Sequence, residues 1–226
     1  MLHERNEALT VGAITDPAAL ELTISPSDCD LIEIRLDALQ NQESLADFCQ
    51  RHQKTIPLLF TARDPAEGGL NSLSQSTREN LLREFSPFAD AIDIEFANLD
   101  AYETLLNELA ESDVTLIYSS HNFQSFDHLA TVEFLAAADQ AGAHIAKAAV
   151  TLNNPLDFSL FESLCETSRS QRVSLMGMGR FAPASRLLAA QHRSLLNYGF
   201  LGNKPTAPGQ WPARLLKDAI AASPPF

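Results

Sequence analysis

The chain has 226 residues, 45% apolar and 20% charged, enough apolar material for a sizeable core and against global disorder. Its 29 acidic and 16 basic side chains leave a formal charge of −13, so no basic stripe is present to hold a nucleic-acid backbone. No window approaches the ~18 uncharged apolar residues of a membrane span, and the charged opening MLHERNEALT argues against a secretory signal.

In chain order, a strand at 9–14 (LTVGAI) leads to Asp16-Pro17, an N-cap with proline at the first helical position. A strand at 31–36 (LIEIRL) precedes a helix near 42–53. A strand at 56–61 precedes a helix opening at the capping box Ser76-Thr-Arg-Glu79. A strand at 90–95 precedes one opening at Asp100-Ala-Tyr-Glu103. Strands at 114–119, 144–150, 172–177 and 197–201 then alternate with helices near 128–141, 157–168, 184–193 and 212–221. Three cysteines, Cys29, Cys49 and Cys165, are too few, odd in number and too far apart for a disulfide framework or a zinc knuckle. The cytoplasm is the expected compartment.

Eight strands, each followed by a helix, imply parallel strands joined by right-handed crossovers. Eight such units close into a (β/α)8 TIM barrel, and 226 residues fits its lower size range, so 1–226 reads as one catalytic domain. An open doubly wound sheet would carry a Gly-rich phosphate loop after an early strand. None follows the first two strands.

Buried parallel strands should be almost wholly apolar, and these break the rule in one pattern. Glu33, Arg35 and Asp37 alternate along the second strand, so all three face one side. Asp93 and Glu95 do the same on the fourth. Lys147 stands inside IAKAAV, and His121 falls at the end of the fifth strand. A buried ion pair would account for Glu33 and Arg35. Lys147 is harder to explain structurally, because a fully buried lysine is rare, and barrel strands carry their functional groups at their C-terminal ends. The loops after the third, seventh and eighth strands add Arg63, Glu67, Gly68 and Gly69, then Arg180 leading to Arg186, then Thr206 and Gln210, to the same face.

These residues in this order resemble the type I 3-dehydroquinate dehydratase family over nearly the whole chain. The carrying motifs are Glu33-Ile-Arg35-Leu-Asp37, Thr61-Ala-Arg63 with Glu67-Gly68-Gly69, Asp93-Ile-Glu95, Ser119-Ser-His121-Asn-Phe123, Lys147-Ala-Ala-Val150, Met176-Gly-Met178, Ser185-Arg186 and Ala207-Pro-Gly-Gln210. The resemblance implies syn dehydration of 3-dehydroquinate to 3-dehydroshikimate, in the shikimate pathway of aromatic amino-acid biosynthesis. It implies that Lys147 forms a Schiff base with the substrate C3 carbonyl, that His121 is the general acid/base, and that Glu67 is a carboxylate orienting the histidine. It places Glu33, Arg35, Arg63, Arg186, Thr206 and Gln210 among the substrate-binding residues and Met176, Met178 and Tyr198 in the pocket wall. No metal and no organic cofactor is expected, and the family resemblance suggests a homodimer.

The sequence departs from the family pattern in places. Asn122 stands where an aspartate is usual, Thr206 replaces a serine, and Arg193-Ser194 replaces Gly-Ser. A serine common on the first strand corresponds to Gly12, and only about eight residues precede that strand, too few for the hairpin that closes the barrel floor in many relatives.

The chemistry suits these residue types. An iminium is an electron sink for a carbanion at C2, and an imidazole titrates near the operating pH. The neighbouring arginines are expected to favour the neutral lysine. The substrate carboxylate calls for a bidentate clamp in a protein of opposing net charge, and Arg186 is the expected clamp. Arg35 and Arg63 would bind hydroxyls or hold the acidic residues. A class I aldolase-type lyase would share the lysine but cleave C–C bonds of sugar phosphates. A metal-dependent hydrolase would use Asp93, Glu95 and His121, yet no HxH or HExxH pattern supports it. A metabolite-binding relative without activity would have no need of both His121 and Lys147.

Overall fold

Period-two alternation splits the strand residues between two packing layers. The structure is a computed structural model that describes residues 2–39, 41–207 and 209–226. Its elements run β1 (Leu9–Ile14), β2 (Leu31–Arg35), α1 (Gln42–His52), β3 (Leu58–Thr61), α2 (Gln75–Phe85), β4 (Ala91–Glu95), α3 (Glu103–Leu109) and β5 (Thr115–Asn122). They continue through α4 (His128–Gln140), β6 (Ile145–Thr151), α5 (Pro155–Thr167), β7 (Val173–Met178), α6 (Ala182–Gln191), β8 (Leu196–Phe200) and α7 (Ala213–Ala222). All the strand pairs are parallel and the sheet order is β7-β6-β5-β4-β3-β2-β1-β8. This is the (β/α)8 barrel. No described helix is long and apolar enough to cross a membrane.

One set of alternating side chains fills the barrel: Leu9, Val11, Leu31, Leu59, Ala91, Ile117, Ile145 and Leu196 form its lower apolar plug. The other set, including Ile32, Ile34, Phe60, Ile92 and Ile94, faces the helices. Burying each such side chain stabilises the fold by roughly 1.5–3 kcal/mol. Among the described residues no hairpin precedes β1. A 3-10 turn at Leu2–Glu4 stands there, and Leu2 packs against the interior plug.

The seam between β7 and β8 closes differently from the other pairs. Leu195 N–H donates to Val173 O at 2.8 Å, Ser174 Oγ to Leu196 O at 2.6 Å, and Leu175 N–H to Ser194 Oγ at 2.9 Å. Serine hydroxyls thus replace part of a backbone ladder.

Several local expectations need correction. Asp16 does cap, accepting from Ala18 N–H, but the turn it starts is a 3-10 helix of five residues, Pro17–Glu21, cut short before Thr23, Ile24 and Pro26. The cap of α2 is Ser74, which accepts from Thr77 N–H, while Ser76 lies inside the first turn. Asp100 caps nothing, because a 3-10 helix at Phe96–Tyr102 winds directly off β4 and runs into α3. Strand β5 runs past residue 119 to Asn122 because β6 pairs with it as far as Val150, and His121 stands at its C-terminal end as expected.

Candidate active site

Inward positions at the C-terminal ends of the strands, with the loops that follow, enclose a cavity of about 200 Å³. Its walls include Glu33, Arg35, Arg63, Glu67, His121, Lys147, Arg186, Thr206 and Gln210, together with Met176, Met178 and Tyr198. All nine residues expected to act on or bind a substrate are therefore brought to one space.

Lys147, only 3% exposed, rises from the middle of β6. Its Nζ lies 2.7 Å from Asp93 Oδ2, 3.8 Å from Glu33 Oε1 and 4.1 Å from the centre of the Tyr198 ring. The nearest charged partners of the amine are thus carboxylates, not the arginines that the sequence suggested. Asp93 is held in turn by Arg63 Nη2 at 2.9 Å and by the Ser119 hydroxyl at 2.6 Å, both on Oδ1. Burial alone would raise its pKa, but Arg63 and Lys147 outweigh that and keep the carboxyl well below the usual range.

Arg63 is committed to this frame. Its Nη1 donates to Glu95 Oε1 at 2.8 Å and to Ser119 Oγ at 2.7 Å. Arg35 makes a bidentate pair with Asp37, both bonds 2.8 Å. Asp37 also accepts the backbone N–H groups of Arg63 and Leu70, so it staples the loop after β3 to the end of β2. Glu33 Oε1 accepts the Thr61 hydroxyl at 2.9 Å. Of the two roles open to Arg35 and Arg63, holding acidic residues is the one their hydrogen bonds display.

His121 and Glu67 meet through one carboxylate oxygen. Glu67 Oε2 lies 3.0 Å from His121 Nδ1 and accepts the His121 backbone N–H at 2.9 Å. Burial pushes the Glu67 carboxyl up to about 7, and burial with the nearby Arg63 and Lys147 charges holds the imidazole well below its ordinary value. A proton on Nδ1 directed at Glu67 leaves Nε2 as an acceptor. Phe123 stacks near His121, with ring centres 6.5 Å apart. A Cβ on Gly68 would stand 2.5 Å from the Phe123 ring, and Gly68 has φ +87°, so only glycine fits between that ring and the Glu67 turn. Asn122 Oδ1 accepts the Gln124 and Ser125 N–H groups and so closes the turn that follows β5.

Arg186 comes from α6, outside the barrel, and reaches the cavity at the β7–β8 seam. Its Nη1 donates to Tyr198 O on β8 at 2.8 Å and lies 3.9 Å from Met176 Sδ on β7. Gly177 permits this approach, because a Cβ there would stand 2.4 Å from Ser185 Oγ. Of the four buried arginines among the described residues, Arg35, Arg63 and Arg78 have carboxylate partners and Arg186 has none. Its Nε has no hydrogen-bond partner, and burial pulls its pKa down to about 10. A buried, unpaired guanidinium on a cavity wall is a receptor for an anion.

Thr206 and Gln210 also line the cavity, on the loop after β8, where Gln210 Oε1 accepts both the Thr206 N–H at 2.7 Å and its hydroxyl at 2.6 Å. Pro208, part of the Ala-Pro-Gly-Gln motif, lies outside the described residues. Gly12 does not face the cavity. A Cβ there would meet Leu201 and Cys29 in the outer layer, and the inward residue of β1 is Ala13, in register with Glu33. Asp93, Ser119 and Asp37 hold the site together through these bonds, a positioning role that their place in the motifs did not reveal. Among the described residues no group of three or more His, Cys, Asp or Glu could hold a metal ion, and Asp93 and Glu95 are both taken up by Arg63.

A model of the type I 3-dehydroquinase family matches residues 10–224. The 3-dehydroquinate dehydratase of Methanothrix thermoacetophila is 32% identical over 97% of this chain and 93% of its own length. That of Albidiferax ferrireducens is 34% identical over 93% of this chain and 85% of its own. The solved type I 3-dehydroquinate dehydratase of Clostridium difficile superposes with a TM-score of 0.83 at 24% identity, covering 96% of this chain and 92% of its own, a likeness of fold.

Proposed function

Because the chain belongs to the type I 3-dehydroquinase family, whose members are hydro-lyases that dehydrate 3-dehydroquinate, we propose that it works through a Schiff base on Lys147. The observation that carries this reading is a buried lysine amine opening into the same cavity as His121 and the unpaired Arg186. Arg186 takes the substrate carboxylate. This fixes the ring so that the C3 carbonyl lies over Lys147. His121 Nε2 takes a proton from the ammonium, the free amine adds to the carbonyl carbon, and the carbonyl oxygen departs as water with one proton from the nitrogen and the one His121 returns, leaving an iminium. His121 Nε2 removes a proton from C2, and the C–H electron pair moves into the iminium as an enamine. The pair returns to expel the C1 hydroxyl, which leaves as water with the proton His121 carries. One imidazole serving both carbons acts on one face of the ring, hence syn elimination. Water then hydrolyses the product iminium and frees Lys147.

Asp93 holds the amine in place between turnovers, and Glu67 fixes the tautomer of His121. Glu33, Arg35, Arg63, Thr206 and Gln210 complete the binding surface, with Arg35 and Arg63 acting through the carboxylates they hold. The sequence 1–226 acts as one catalytic domain, since its first and last strands are neighbours in the same sheet. Three buried unpaired cysteines are in keeping with a reducing cytoplasm. Two copies pair through the exposed apolar faces of α4 and α5, which carry Leu129, Val132, Leu156 and Leu160.

Borohydride reduction in the presence of 3-dehydroquinate tests the chemistry. The expected result is a ligand adduct mapped to Lys147, formed equally with and without a chelator. Folded protein that gives no adduct, or an adduct elsewhere, would overturn the assignment.

A further inference from the structure

We propose that Arg78, a residue of the outer helix layer, is a positioning residue for the Glu67–His121 pair and acts on it through Asp64. Arg78 stands on α2, is 3% exposed and does not line the cavity. Its Nη2 lies 2.6 Å from Asp64 Oδ2. Its Nη1 is 3.7 Å from Glu95 Oε2, beyond hydrogen-bond reach, and Nε and Nη1 have no hydrogen-bond partner. A guanidinium buried with so few bonds is a poor stabiliser of a fold, so its value is better sought in what it holds.

Asp64 is the hub of the turn that carries Glu67. Its Oδ1 accepts the Ala66 N–H at 2.7 Å and caps the 3-10 turn Pro65–Glu67. Its carbonyl oxygen accepts the N–H groups of both Glu67 and Gly69 at 2.9 Å. Its own N–H donates to Glu95 Oε1 at 2.9 Å, which ties the turn to the end of β4. The remaining carboxylate oxygen, Oδ2, is held from outside by Arg78 and by Asn98 Nδ2 at 3.0 Å. Three links therefore run from the helix layer to the imidazole: Arg78 to Asp64, Asp64 to the Glu67 backbone, and Glu67 Oε2 to His121. Loss of the first lets the turn rock about Asp64, and Glu67 Oε2 then spreads over positions from which it cannot fix Nδ1.

The inference rests on the reading of His121 as the proton carrier, and the test separates the two. In Arg78→Gln, kcat is expected to fall about 10- to 100-fold, the effect of a small misplacement of a catalytic group, with KM within about twofold of the parent. The nitrogen-15 spectrum of His121 is expected to change from one tautomer, protonated on Nδ1, to a mixture. Borohydride adduct formation on Lys147 is expected to persist, and Arg78→Lys to recover most of kcat. Parental kcat with a single tautomer in Arg78→Gln would overturn the proposal. An unreactive parent enzyme would instead strike the catalytic reading and leave the tautomer test standing. If Arg78→Gln fails to fold, Asp64→Asn beside Asn98→Ala decides, since the first keeps the Ala66 cap and removes both the ion pair and the Asn98 bond, while the second removes only that bond: a mixed tautomer in Asp64→Asn alone supports the proposal, and a single tautomer there, or a mixture in both, overturns it.

Discussion

Arg186 and Glu67 show how burial turns ordinary side chains into tools. The Arg186 guanidinium is desolvated with no carboxylate to compensate it, so a substrate carboxylate gains a charge-assisted contact worth about 1.5–3 kcal/mol. Arg186→Ala should therefore raise KM roughly 10- to 100-fold with a smaller loss of kcat. Steady-state kinetics checks this, and an unchanged KM would remove Arg186 from the clamp. Glu67 makes a pH-dependent contribution of the opposite sense to a salt-bridged acid. Its folded pKa, raised by burial from 4.5 to about 7, exceeds its unfolded value, so its contribution is fully present below pH 4.5 and is lost as pH rises through 7. Glu67→Gln should melt like the parent at pH 4.5 and be more stable at pH 8, by on the order of 1–3 kcal/mol. Thermal melts at the two pH values decide it, and equal stability at pH 8 would contradict the buried-acid account. The same substitution should impair turnover, because an amide does not stabilise an imidazolium as a carboxylate does.

At the level of elements, the junction between α6 and β8 carries a visible strain. Arg193 has φ +69° and is the one non-glycine with positive φ among the described residues. The left-handed conformation costs an L-residue about 1–2 kcal/mol, partly offset by the greater chain entropy of glycine. Arg193→Gly should therefore stabilise the fold by about 1 kcal/mol, a rise in Tm of roughly 2–4 °C, with kcat/KM unchanged because the junction lies away from the cavity. Calorimetry is the check, and a lower Tm would show that the Arg193 side chain contributes more than its backbone costs. Much of the layout was legible beforehand for a plain reason: parallel strands buried on both faces are conspicuous as Val, Ile and Leu runs, so Glu33, Asp93 and Lys147 stood out. Helix starts were less legible. Ser74 and Ser76 are chemically equal candidates for a cap, and only the path of the chain chooses between them. Arg78 left no mark at all, since an arginine in an amphipathic helix reads as a solvated residue, and its burial depends on Asp64 and Glu95 arriving from other elements. The inversion at Lys147, carboxylates as neighbours where arginines were expected, has the same origin: alternation tells which side a residue faces, not which strand's residue it meets across the barrel.

For the whole molecule, the surface feature that stands apart is the exposed apolar side chains of α4 and α5. A helix at a solvent boundary normally keeps its apolar residues on one face. In α4 the buried face carries Leu135 and Ala138, yet Leu129 is 66% exposed and Val132 39%. Helix α5 buries Phe161 and Leu164 and leaves Leu156 66% and Leu160 39% exposed. Two helices in contact that expose large apolar side chains as well as burying others present a surface that water opposes at Leu129, Val132, Leu156 and Leu160, while the net charge of −13 discourages indiscriminate association elsewhere. A second copy of the chain brings the same patch and suits a two-fold pairing, in which each patch meets itself. The pair Leu129→Glu and Leu156→Glu, made together, places two carboxylates per chain in such a seam. Neither residue lines the catalytic cavity. Sedimentation equilibrium is expected to show a dimer for the parent and a monomer for the double variant, with kcat per chain within about twofold. A parent that sediments as a monomer would refute the pairing outright. A double variant that stays dimeric would move the interface to another face.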